Sequence, residues 1–221
     1  MPLNEEEAVL LGAAWQRLAG GGPEAAAVGA ELLDRWNEPH RRYHTLLHLW
    51  ETLRAVDVLQ GEAADADGVR YAVWFHDAVY EGRPGRDEEE SAELAARLLE
   101  LVGEEPARIG EVVRLVGVTA THRPEEWDAD GKVVSDADLS VLAGPTDEYL
   151  AYTAAIRAEY RHIPDRVFRA GRSRVLRSLL DGPHVFHTAF GRAHWEARAR
   201  VNMLAELDRL ASSAPLDLPP P

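Results

Sequence analysis

Hydrophobic residues recur at three- and four-residue intervals through most of the chain, the spacing of helices that bury one face. Residues 4–19 read as an amphipathic helix with Asn4 as its cap, and Pro23 opens a second helix running to about Trp36. NEPHRRYH at 37–44 breaks the pattern and leads into a third helix over 44–60, with Leu46, Leu49, Leu53 and Val56 at helical spacing. After a loop at 61–67, a helix beginning near Gly68 carries YAVWFHDAVY, 71–80, and stops before the turn-rich GRPGRD at 82–87. An acidic helix is expected over 87–101, with Glu88, Glu89 and Glu90 in its first turn, where carboxylates suit the helix dipole. Pro106 opens the next, through Val112, Val113, Val116 and Val118 to TATH at 119–122. The stretch 123–135 reads as a polar loop, followed by a short helix over 135–144 capped by Ser135 or Asp136. Helices at 146–162, 164–181 and 192–212, a short one near 183–190, and a disordered tail over 213–221 complete the chain. No alternating run is long enough for a sheet, so the expected class is all-α, a helical bundle forming one domain over 1–212.

Within that pattern YAVWFHDAVY is apolar nearly all round a helix except at His76 and Asp77. Burying an imidazole beside a carboxylate is costly unless something compensates both. A metal ion would do so, and so would a core ion pair; the dipeptide alone leaves the two readings even. Three further polar groups stand in apolar helical contexts: His44 and His48, four residues apart; His122; and Asp136 with Asp138. Such convergence suits a metal cage inside a helical bundle. Imidazole with carboxylate suits divalent Zn, Mn, Fe, Co or Ni, with Mg favoured at a mostly oxygen-lined position.

Composition narrows the chemistry. The chain has 221 residues, 46% hydrophobic and 28% charged, and no cysteine, which removes disulfides, thiol nucleophiles and thiolate ligands. Any metal must be held by His, Asp, Glu or water. A formal net charge of -14 disfavours a nucleic acid polymer as partner, while a small anion drawn to a metal remains compatible. Lys132 is the sole lysine, leaving little room for Schiff-base chemistry. No run of about 18 apolar residues is present and the first residues are acidic, so a membrane span and a signal peptide are not expected, and a cytoplasmic location is.

The ordered set His48, His76-Asp77 and Asp138 resembles the signature of the HD superfamily of metal-dependent phosphohydrolases: a histidine, an adjacent His-Asp pair, then a distant Asp. YHTLLH at 43–48 and ADLS at 137–140 are similar to motifs of its cyclic-nucleotide phosphodiesterase branch. FHDAVY, EESA, DADLS, EY at 159–160, GRSRVL and ARVN look like the pieces of a bacterial family of small predicted HD phosphohydrolases, over about 36–206. The resemblance implies that His48, His76, Asp77 and Asp138 ligate metal and that His44 protonates the leaving oxygen. It also implies hydrolysis of a phosphate ester of a nucleotide or other small phosphorylated metabolite by metal-activated water. Asp77 could bridge to a second ion. Thr45 stands where the phosphodiesterases carry Asn, and their His-Pro-Gly after the HD pair is missing, so a cyclic-nucleotide substrate is not implied. The resemblance implies two further histidines between the His-Asp pair and the last Asp for a dinuclear cage; only His122 lies there, so it implies one tightly bound ion and weighs against a di-iron oxygenase. Two rival readings are a catalytically inactive HD-fold protein that binds a nucleotide or partner, and an HD-type metal oxygenase.

Around this set, His122 is a candidate positioning group or phosphate contact, and Asp136 a cap. Glu89, at the head of the Glu-x-Ser stretch, is the acid expected to turn inward. Arg41, Arg42, Arg123 and Arg172 are candidate phosphate contacts through bidentate hydrogen bonds.

Overall fold

Every regular element among residues 3–212, the part that the computed structural model describes, is helical. Contacts gather the chain into two compact units, Met1–Asp138 and Leu139–Pro221, where the sequence suggests one domain over 1–212. The proposed tail at 213–221 lies outside the described residues.

The first unit holds α1 (Glu5–Ala19), α2 (Pro23–Trp36), α3 (Leu46–Leu59), α4 (Ala66–Phe75), α5 (Arg86–Val102), α6 (Pro106–Thr119) and α7 (Ala129–Asp138). Asn4 caps α1 as its sequence suggests, accepting from the Glu7 N–H at 2.9 Å while Glu7 accepts from the Asn4 N–H at 3.0 Å. Helix α4 is the centre of the unit: Val69, Tyr71, Ala72, Val73, Trp74 and Phe75 are all buried, and α3, α5, α6 and α7 pack around it. The ring of Trp15, on α1, meets Tyr71, Trp74 and Phe75 edge-on at centroid distances of 5.9, 5.3 and 6.2 Å. Its indole N–H donates to the Ala25 carbonyl of α2 at 2.6 Å. That approach requires Gly29, since a Cβ there would stand 2.4 Å from Trp15 Cδ1. Trp36 closes α2 by donating from its indole to the Trp74 carbonyl at 3.0 Å, fixing α2 on α4.

Several boundaries differ from those read in the sequence, for local reasons. Helix α3 begins at Leu46, so His44 precedes it instead of riding on it. Helix α4 ends at Phe75, so His76 is its C-cap and Asp77 stands in the following turn. The largest difference is α7, which starts at Ala129 and covers most of the expected polar loop. Asp128 is its cap: Oδ1 accepts the Gly131 N–H at 2.9 Å, and only glycine fits, a Cβ at 131 meeting Asp128 Oδ2 at 2.1 Å. Arg114 of α6 clamps the same carboxylate with bonds of 2.6 and 2.9 Å. Asp130 accepts the Ala64 and Asp65 N–H groups at 2.7 and 3.0 Å and ties α7 to the loop before α4. Ser135 and Asp136 are therefore interior helical residues and cap nothing.

The second unit holds a 3₁₀ turn (Leu139–Ala143), α8 (Thr146–Glu159), α9 (Asp165–Leu180), α10 (Ala189–His194) and α11 (Glu196–Ala211). Glu206 joins its helices, taking hydrogen bonds from the Tyr149 hydroxyl and from Arg172 Nε, the latter at 2.8 Å. Arg172 also donates to the Tyr152 hydroxyl at 2.8 Å, so it serves this core rather than a phosphate. Among the described residues no helix is long and apolar enough to cross a membrane.

Gly29→Ala is expected to destabilise the protein by about 1–3 kcal/mol, the usual cost of overpacking, because the buried Trp15 ring cannot retreat. A lowered urea midpoint at unchanged slope checks this; an unchanged midpoint would show that the α1–α2 contact is not tight.

Candidate metal centre

Helix α7 packs on α3, α4 and α6, and α4 packs on α3 and α6. His48 comes from the first turn of α3, His76 from the end of α4, Asp77 from the turn after it and Asp138 from the last residue of α7. His76 Nδ1 lies 2.8 Å from the Val73 carbonyl, an acceptor, so in the neutral ring Nδ1 carries the proton and Nε2 the lone pair. His48 turns Nδ1 to the Thr52 hydroxyl at 3.4 Å and also aims Nε2 inward.

The inward atoms stand at coordination spacing. His48 Nε2 is 3.3 Å from His76 Nε2, and Asp138 Oδ1 is 3.0 and 3.5 Å from them. Donors about 2.1 Å from a common ion lie about 3.0–3.4 Å apart along the edges of an octahedron or tetrahedron. Two imidazole lone pairs facing each other in a dry core repel unless a proton or a cation stands between them. His48, His76 and Asp138 could therefore hold a metal ion. Asp77 Oδ2 adds a carboxylate oxygen 3.1 Å from His76 Nε2 and 3.8 Å from His48 Nε2.

Charge in this pocket is strongly perturbed. Burial pushes the His48 imidazole down, with Asp138 only partly opposing it. Burial acts the same way on His76, yet Asp77 and Asp138 together outweigh it and hold the ring well above its ordinary range. Both carboxyls are held below theirs: burial alone would raise them, and the imidazoles, His76 foremost, reverse that. Without metal, these shifts favour a proton held on His76 beside the two carboxylates.

No family model, curated protein or solved structure matches the chain. The functional reading therefore rests on these residues and what surrounds them.

His44 Nε2 stands 3.9 Å from Asp77 Oδ2 at the partly open side, its ring stacked on Tyr80 at 4.1 Å and edge-on to Tyr43 at 4.8 Å. His122 faces Asp138 from the other side, Nε2 to Oδ2 at 3.5 Å, with Nδ1 3.3 Å from the buried Ser135 hydroxyl. Its backbone has φ 52, the one non-glycine residue in the left-handed region among those described, a strain that α6 and α7 impose on it. Asp136 is fully buried within α7. The structure does not bring Glu89 or Arg42 to this group: both are exposed, and Arg42 donates to the Pro39 and Arg41 carbonyls, each at 2.7 Å. From the acidic turn it is Glu88 that lies inward; burial first, then the charge of Asp77 among other causes, pushes its carboxyl up.

Two braces were not legible as such in the sequence. Arg41 is buried rather than free for phosphate: its guanidinium lies between the rings of Trp36 and Tyr80, 5.5 Å from each centroid. It donates to the carbonyls of His44 at 3.1 Å, Asp77 at 2.8 Å and Ala78 at 3.3 Å, joining the two segments that carry the site. From α5, Ser91 pairs with both backbone groups of Val79, and Asp87 accepts the Glu81 and Arg83 N–H groups, each at 2.8 Å. The EESA stretch thus holds the turn after Asp77 in place.

Metal uptake must displace the proton that His76 retains. In the metal-free chain that proton contributes stability which is complete below pH 6.5 and lost as pH rises through the raised folded value. The depressed carboxyls contribute stability present above pH 3.8 and lost as the pH falls through their folded values. Calorimetric titration with Zn or Mn in buffers of different ionisation enthalpy is expected to show proton release and an affinity that weakens as pH falls. Asp138→Ala should cost more than the about 10–100-fold typical of groups that merely support a ligand. Affinity independent of pH and of Asp138 would contradict the assignment.

Proposed function

We propose that the protein is a metal-dependent phosphohydrolase of the HD type, acting on a phosphate ester of a small metabolite or nucleotide. The observation that supports this most is that His48, His76, Asp77 and Asp138, met in the order His, His-Asp, Asp along the sequence, meet in space with donor atoms 3.0–3.8 Å apart. A divalent metal held there would acidify a water and neutralise charge on the phosphoryl oxygens. Its identity among Zn, Mn, Fe, Co, Ni and Mg depends on supply as well as on ligands.

The chain's own groups divide the remaining work. Asp77 turns Oδ2 toward three imidazoles, leaving Oδ1 to orient the attacking water. His44 holds a proton at Nε2 for the leaving oxygen, and the Asp77 carboxylate 3.9 Å away supplies the counter-charge to the protonated ring. Tyr80, stacked on His44, and Arg41, bonded to its carbonyl, fix where that proton is delivered. Trp36, whose ring lies 5.4 Å from His76 and 6.1 Å from His48, closes the inner wall against water. His122 holds Asp138 from outside or contacts a phosphoryl oxygen.

Metal-loaded protein is expected to release phosphate or an alcohol from at least one member of a panel of phosphate monoesters, diesters and nucleotides. His44→Gln should retain metal and lose about 10²–10⁴-fold in turnover of esters with poor leaving groups, with a smaller loss for activated ones. A fully metal-loaded protein that hydrolyses no member of the panel would overturn the reading in favour of a binding role, and an O2-dependent product would favour an oxygenase.

A further inference from the structure

A second cleft lies in the same unit, between α1, α3 and α4, with a volume of about 380 Å³. Small-ligand sites begin at about 300 Å³. Leu53, Trp50 and Trp74 form its apolar surface, and Arg17, Arg54 and Arg70 its polar one. Arg70 is satisfied internally, donating to Asp67 and Asp57 at 2.9 and 2.8 Å. Arg17 and Arg54 have no ion pair or hydrogen bond with any described residue. In a chain with 38 acidic and 24 basic residues, two unmatched guanidiniums on one cleft are the reverse of what charge balance would distribute.

The flat ring of Trp50 beside two unpaired guanidiniums matches one ligand chemistry. We propose that this cleft binds a small aromatic anion, its ring against Trp50 and Leu53 and its anionic group between Arg17 and Arg54. With Arg70 shared between Asp57 and Asp67, the three arginines and two acids of the cleft leave one net positive charge, carried on the Arg17 and Arg54 side. The site is distinct from the metal centre. Trp50 stands two residues from His48 on α3, which places the two side chains on opposite faces of that helix. The same two helices, α3 and α4, therefore line both sites.

The probe is 8-anilinonaphthalene-1-sulfonate, titrated into the full-length metal-loaded protein and followed by calorimetry. Saturable binding of one probe per chain is expected, weakened about tenfold or more in Arg17→Ala/Arg54→Ala and also in Trp50→Ala. Asp138→Asn, which acts on the metal centre, should leave it within about twofold. Both arginines are exposed, so the double variant keeps the fold, which circular dichroism checks. Absence of one-to-one saturation, an unchanged affinity in the double variant, or loss of binding in Asp138→Asn would each overturn the proposal. An unchanged affinity accompanied by a lower urea midpoint would assign Arg17 to the end of α1 alone. None of these outcomes depends on hydrolysis at the metal centre.

Discussion

Two imidazole nitrogens, His48 Nε2 and His76 Nε2, face each other at 3.3 Å in a core where both rings are almost fully buried. With the lone pairs of both nitrogens turned inward that contact is repulsive, and burial makes it worse by removing water. A proton on one of the two nitrogens or a cation between them relieves it, and the carboxylates of Asp77 and Asp138 stand beside whichever is present. Much of the first unit can be read as the means of keeping four such groups from relaxing apart.

Each group has its own support. Trp36 presses on both rings and is itself hung from α4 by its indole. Arg41 ties the segment carrying His44 to the turn carrying Asp77, and Asp87 with Ser91 holds the far side of that turn. Asp128 and Asp130 pin the start of α7 so that its last residue, Asp138, arrives opposite α3. A charged core of this kind is weak evidence for stability, since apolar replacement often does as well.

Much of this was legible in the sequence where a pattern repeats or a side chain has one plausible use. The helical periodicity marks the helices, and the apolar run 71–75 that leads into one His-Asp pair marks the candidate site. What was not legible depends on partners distant in the chain. Asp128 reads as a loop residue until Arg114 and Gly131 are seen around its carboxylate, and without that cap α7 cannot be started at Ala129. Arg41 and Arg42 are indistinguishable as adjacent letters, yet one is buried between two rings and the other exposed. Glu88 and Glu89 differ only by about 100° of helical rotation, which boundary uncertainty in a sequence reading cannot resolve. The cleft beside Trp50 is invisible in sequence because α1, α3 and α4 each contribute only part of it.

The central claim, that this core is built around a metal ion, is tested most directly by anomalous diffraction from crystals of the metal-loaded protein at the metal's absorption edge. A single strong peak is predicted within about 2.0–2.3 Å of His48 Nε2, His76 Nε2 and a carboxylate oxygen of Asp138. A peak bound elsewhere, or none with the His48 and His76 nitrogens still 3.3 Å apart, would show that the cluster is a proton-sharing core pair and no metal centre.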